Sequence, residues 1–139
     1  MKIRHIGLVV LDLKTSLNFW TKIFKFKIIK IMDENGKVID NMFGYKNTFI
    51  KSIKLQDISG AILELIQIKK PSLKKRNNLT INNGITHFAI TIKKIDNFYK
   101  KNKNTVKFNS PPQKSKDGKV KVLYLKTPER CYLELVEEL

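Results

Sequence analysis

The run Arg4-His5-Ile6-Gly7-Leu8-Val9-Val10 comes back later in the chain as Thr86-His87-Phe88-Ala89-Ile90-Thr91-Ile92. It does not come back alone. With a three-residue gap, Phe19-Trp20 matches Phe98-Tyr99, and Ala61-Ile62-Leu63-Glu64-Leu65-Ile66 matches Cys131-Tyr132-Leu133-Glu134-Leu135-Val136. His5 precedes Glu64 by 59 positions and His87 precedes Glu134 by 47, so the second copy is shorter by 12. Self-similarity in a fixed order means one supersecondary unit used twice, and this restricts the fold more than any other feature of the chain.

The periodicities inside the copies name the unit. Residues 3–11 read as a strand. Residues 13–25 read as a helix, because Leu13, Leu17, Trp20 and Phe24 form one apolar stripe at i, i+4, i+7 and i+11. Strands follow near 26–32, 48–56 and 61–68, with turn signals at Glu34-Asn35-Gly36 and Asp57-Ile58-Ser59-Gly60. Residues 33–47 show no clear period and leave room for a loop over a site. The polar stretch Lys69 to Gly84 reads as a linker. The second copy gives a strand at 85–92, a helix at 94–103 and strands near 105–108, 119–126 and 131–138, with Pro111-Pro112 and Asp117-Gly118 in its loops. The expected fold is therefore α+β. It is one domain of residues 1–139, with a βαβββ module at 1–68, a linker at 69–84 and a second βαβββ module at 85–139.

Composition excludes several classes. Residues Ile6 to Leu11 make the longest apolar run, far below the roughly 20 residues of a membrane span and too short for a secretory signal, so a cytoplasmic protein is expected. The single Cys131 allows no internal disulfide, in keeping with a reducing compartment, and at the head of an apolar strand it reads as a structural thiol. The formal charge of +16 raises the question of nucleic acid. Yet of the 28 basic residues all but Arg4, Arg76 and Arg130 are lysine, and a pattern of exposed aromatics interleaved with the charges is not evident. Nucleic-acid readers favour arginine and stacking aromatics, so nucleic acid is not the expected partner. A positive surface does attract anionic small molecules.

Four residues stand where apolar ones belong. Glu64 and Glu134 lie inside otherwise apolar strands, each sharing a face with Ile62 and Ile66 or with Tyr132 and Val136. A carboxylate buried there without a partner costs several kcal/mol. His5 and His87 open strands that are almost wholly apolar. Taken singly, such a histidine is most often a hydrogen-bonded structural residue, and such a glutamate an outward-facing one. Recurrence of all four in the same order favours a shared purpose: two imidazoles and two carboxylates make a mixed N/O site suited to Ni²⁺, Zn²⁺, Co²⁺, Mn²⁺ or Fe²⁺. Glu137 and Glu138 have no such support and read as a solvated end.

The opening His5-Ile-Gly-Leu-Val-Val-Leu-Asp-Leu13, Ser16-Leu-Asn-Phe-Trp20 and Phe24-Lys-Phe26, the run Gly60 to Gln67, and the closing Tyr124 to Glu137 resemble the vicinal oxygen chelate superfamily. That group includes glyoxalase I, methylmalonyl-CoA epimerase, extradiol dioxygenases, and fosfomycin- and bleomycin-resistance proteins. The resemblance spans essentially the whole chain. It implies paired βαβββ modules curling a mixed sheet around one divalent metal, with His5, Glu64, His87 and Glu134 as ligands, a small-molecule substrate and a homodimer. Thr127-Pro128-Glu129-Arg130 departs from the family's usual Asp-Pro-Asp/Glu-Gly turn, so a different loop shape is expected there.

The full His-Glu-His-Glu set is similar to bacterial glyoxalase I, which implies a lyase or isomerase working through an enediolate or enolate, with Glu134 as the catalytic base. Arginines suited to the carboxylates of glutathione are scarce. A CoA-thioester epimerase and a non-catalytic metal or small-molecule binder, such as a resistance protein, remain the alternatives.

Overall fold

A computed structural model describes residues 3–72 and 87–139. The chain divides into two compact units, Met1–Lys75 and Arg76–Leu139. The linker reading falls mainly on residues outside those described, although Lys69 and Lys70 belong to the strand before it.

The first unit contains β1 (Ile6–Val9), α1 (Leu13–Asn18), β2 (Lys27–Asn35), α2 (Lys37–Phe43), β3 (Phe49–Gln56) and β4 (Ile62–Lys70). Its four-stranded sheet has the order β1-β4-β3-β2: β1 runs parallel to β4, and the other pairs are antiparallel. Asp12 starts α1, its Oδ1 accepting from the Thr15 backbone N–H at 2.8 Å. These hydrogen bonds hold the Asp12 carboxyl below its usual range. The helix runs on through a π-helical turn, Phe19–Ile23. Trp20 in that turn is fully buried, with ring centroids 5.3 Å from Phe24 and 5.7 Å from Phe26. One sheet face carries Ile53, Leu55, Leu63 and Leu65, all buried. The opposite face holds Glu64, as strand alternation requires.

The second unit contains β5 (His87–Thr91), α3 (Ile95–Asn102), β6 (Gln113–Lys114), β7 (Val120–Lys126) and β8 (Tyr132–Glu138). Its sheet has the order β5-β8-β7-β6, again with the first and last strands parallel. Leu123, Leu125, Leu133 and Leu135 form the buried face. Tyr99 packs on Phe108 with centroids 5.2 Å apart, as Trp20 packs on Phe26 in the first unit.

Three expectations change. The stretch 33–47 contains the end of β2 and then α2, bounded by Gly36 and Gly44, both at positive φ. Residues 105–108 are not a strand; Phe108 makes one isolated bridge to Leu125, and the second strand of this unit is the two-residue β6. Glu137 is not a free solvated end. Its carboxylate accepts from the Lys94 and Ile95 backbone N–H groups, the latter at 3.1 Å, and so caps α3. Gln67, the matching residue of the first unit, ties β4 to the start of α1 by donating to the Leu11 carbonyl at 3.0 Å.

Candidate metal centre

Parallel pairing at matched registers places the four singled-out residues. In the first unit Ile6 lies beside Leu63 and Gly7 beside Glu64; in the second Phe88 lies beside Leu133 and Ala89 beside Glu134. The histidine two positions earlier on the same face then leans over the carboxylate. His5 Nε2 is 3.2 Å from Glu64 Oε2, and His87 Nε2 is 3.2 Å from Glu134 Oε2. The Glu64 and Glu134 side chains are 12% and 19% exposed, so each carboxylate is largely withdrawn from water yet reachable.

The structure thus joins the four residues two by two, one pair per unit. Among the described residues no group of three or more His, Cys, Asp or Glu side chains is gathered as a ligand cluster. The donors in each pair still suit an ion. Two ligands bound at about 2.0–2.2 Å to one ion and adjacent in its shell lie roughly 3 Å apart, close to the observed separations. An imidazole nitrogen with a carboxylate oxygen is the mixed donor set of borderline divalent ions. Gly7 puts no side chain beside Glu64, and a Cβ built there would sit in ordinary van der Waals contact with Ile66 Cδ1, at 3.6 Å.

Two further residues come to these pairs without having been anticipated. Lys54 stands opposite Glu64 in the β3–β4 ladder, and Tyr124 stands opposite Glu134 in the β7–β8 ladder. Lys54 Nζ is 3.9 Å from Glu64 Oε1, too far for a hydrogen bond. The Tyr124 hydroxyl is 3.3 Å from His87 Nε2, on the face that carries Glu134. Partial burial raises the Tyr124 pKa above its ordinary 10.0, and the nearby Glu134 charge adds to that. Both residues could have been found by counting back across the hairpin turn, because four-residue turns fix the register.

Those turns are alike. Asp57 N–H donates to the Ala61 carbonyl at 3.1 Å and Gly60 N–H to the Asp57 carbonyl at 3.2 Å. Thr127 N–H donates to the Cys131 carbonyl and Arg130 N–H to the Thr127 carbonyl, both at 3.0 Å. Arg130 takes φ 62° where Gly60 takes φ 91°. The turn at Thr127–Arg130 thus repeats the hydrogen-bond pattern of the turn at Asp57–Gly60. Cys131, just before β8, is half-buried with its Sγ 3.1 Å from Thr127 Oγ1.

The family profile of the Glyoxalase/Bleomycin resistance protein/Dioxygenase superfamily matches residues 2–135. The chain belongs to this superfamily. Among solved structures it is similar to a glyoxalase family protein from Bacillus cereus, with a TM-score of 0.88 and 15% identity over 100% of this chain and 95% of that one. A fosfomycin resistance protein of Listeria monocytogenes gives 0.65 and 21%, over 100% and 94%. A glyoxalase I mutant from Zea mays gives 0.72 and 18%, over 99% of this chain and 47% of that one. At these identities the likeness is one of fold. No curated protein sequence matches the chain. Among the described residues no helix is long and apolar enough to cross a membrane.

Proposed function

We propose that this superfamily member is a metal-dependent, glyoxalase-like lyase or isomerase that enolises a small carbonyl substrate held through two adjacent oxygens. The observation carrying this reading is the repeated pair: the same imidazole-to-carboxylate contact, 3.2 Å each time, at matched positions of two modules. His5, Glu64, His87 and Glu134 would hold the divalent ion, of which Ni²⁺, Zn²⁺, Co²⁺, Mn²⁺ and Fe²⁺ suit the donors. The ion supplies Lewis acidity that acidifies the C–H next to the substrate carbonyl. Glu134 accepts that proton at a carboxylate oxygen and returns it to the neighbouring carbon or the opposite face. The Tyr124 hydroxyl, protonated at neutral pH and 3.3 Å from His87 Nε2, would help to orient the His87–Glu134 pair.

Elemental analysis of chelator-free protein is expected to give one transition metal for each set of four ligands. Incubation with α-hydroxy-carbonyl compounds in D₂O is expected to place deuterium at the carbon beside the carbonyl. A metal content near zero after dialysis against Ni²⁺, Zn²⁺ and Co²⁺ would overturn the metal. Exchange confined to CoA thioesters would move the protein to the epimerases. Metal-dependent ligand binding without exchange would make it a binder.

A homodimer belongs to the same reading. β2 is an edge strand that exposes Ile28, Ile29 and Ile31, a combination that invites strand pairing. Sedimentation at micromolar concentration is expected to exceed the 16.2 kDa of one chain, and a pure monomer would refute it.

A further inference from the structure

One row of the first sheet reads Lys30, Lys54, Glu64, Gly7 across four strands. Residues directly opposite share a face, so Lys54 and, one strand further out, Lys30 lie on the face that carries the Glu64 carboxylate, with a residue lacking a side chain on its other flank. This is an unfavourable arrangement on its own. Like charges directly opposite one another repel, and Glu64 Oε2 is already turned to His5 Nε2. Among the described residues Glu64 is the one carboxylate within 4 Å of Lys54 Nζ, and at 3.9 Å no hydrogen bond forms. Glu34, which also reaches this face, accepts from Ser52 Oγ at 3.5 Å. The Lys54 side chain is 24% exposed, so its ammonium is partly withdrawn from water and an approaching anion meets reduced screening. Glu64 given to an ion leaves Lys54 without a counterion.

We propose that Lys54, with Lys30 at the rim, binds an oxyanion group of the substrate, a carboxylate or a phospho group, beside the Glu64–His5 pair. The inference deepens the proposed function and rests on it for the other, vicinal-oxygen end of the substrate. The matched position of the second unit holds the neutral Tyr124, so the cation is a feature of one module and not of the repeat.

The chain's two histidines, His5 and His87, give a site-specific reporter. Methylphosphonate and malonate would be titrated into metal-free full-length protein at low ionic strength, with the His5 imidazole followed by NMR. Saturable shifts of His5 are expected. In Lys54→Met the apparent Kd should rise about tenfold or more, the usual worth of a charged hydrogen-bond donor. Lys54→Arg should retain most of the affinity, and Lys119→Met, in the second unit, should titrate like wild type. The tighter of the two probes names the group. A Lys54→Met protein that folds and titrates like wild type, or equal losses in Lys119→Met, would overturn the proposal in favour of diffuse surface charge. Metal content of the same variants after dialysis against Ni²⁺ or Zn²⁺ keeps the two readings apart. Failure to load metal with an intact Lys54 effect would refute only the proposed function; normal loading with no Lys54 effect would refute only this inference.

Discussion

The two modules agree in the residues that strand pairing fixes and differ in the residue across the ladder from the glutamate. Both set a histidine 3.2 Å from a carboxylate at the same register. In the first, an ammonium stands 3.9 Å away, outside hydrogen-bonding range. In the second, a half-buried phenol stands across the ladder from the carboxylate and lies 3.3 Å from the imidazole. The backbone therefore supplies the pair twice, and the chemistry around each pair is set by one cross-strand side chain. Charge collects at Glu64, while Glu134 faces a neutral phenol in place of the ammonium. This supports giving the two glutamates different duties.

The hardest test of that division compares Glu134→Gln with Glu64→Gln. Deuterium exchange is expected to fall roughly 10²–10⁴-fold in the first, the worth of a general base, with metal content only modestly lower. The second should lose less turnover for a comparable loss of metal; equal losses in turnover would break the comparison. Loss of His5 or His87 to alanine should remove metal and exchange together, since each would delete a proposed ligand.

Where the modules agree, matched substitutions should match. Leu65 and Leu135 are both fully buried, and each is expected to lose about 2–5 kcal/mol on replacement by alanine. Denaturant unfolding checks this, and a twofold difference would show that the two cores are not packed alike.

The Tyr124 phenol offers a gentler probe. Ultraviolet titration should show it ionising above 10.0, and in Glu134→Gln the midpoint should move down without reaching the ordinary value, because burial remains. The folded-state pKa is raised, so the phenol's contribution to stability is complete below pH 10.0 and is lost as pH rises through the folded value. A midpoint unmoved by Glu134→Gln would detach Tyr124 from the pair.

The smallest effects are expected at the turns. Gly60→Ala should cost about 1 kcal/mol because φ 91° strains an L-residue, although the added Cβ meets nothing closer than Gln56 Nε2 at 3.9 Å. Arg130→Ala, at φ 62°, exchanges one strained residue for another and should change stability by less. Thermal melting would rank the two, and the reverse order would contradict the likeness of the turns.

Much of this was legible because period-2 alternation and the repeat are written directly into the sequence. The placement of Glu64 and Glu134 opposite the buried leucine face needed only that alternation, and the superfamily followed from the opening and closing strands. The short α2 was missed because Val38, Ile39, Met42 and Phe43 span barely one amphipathic turn, and two of them stay exposed. Residues 105–108 misled because Val106 is buried without being in a strand. Glu137 misled because a cap on α3 from a strand is a contact between residues 42 and 43 positions apart, which no local pattern encodes. Lys54 and Tyr124 escaped for a similar reason: each matters through a cross-strand neighbour.

In each unit the first strand pairs with the last. His5 therefore cannot meet Glu64 until β2, α2 and β3 have been laid down between them and β4 has closed the sheet against β1. Parallel closure over such a span is among the slower steps available to a small domain. On a ribosome, the two donors would stay apart for as long as any part of that module was unfinished. The His–Glu contact thus works as an end-of-assembly seal, and a chain cut short or stalled midway presents a lone imidazole, with little grip on an ion.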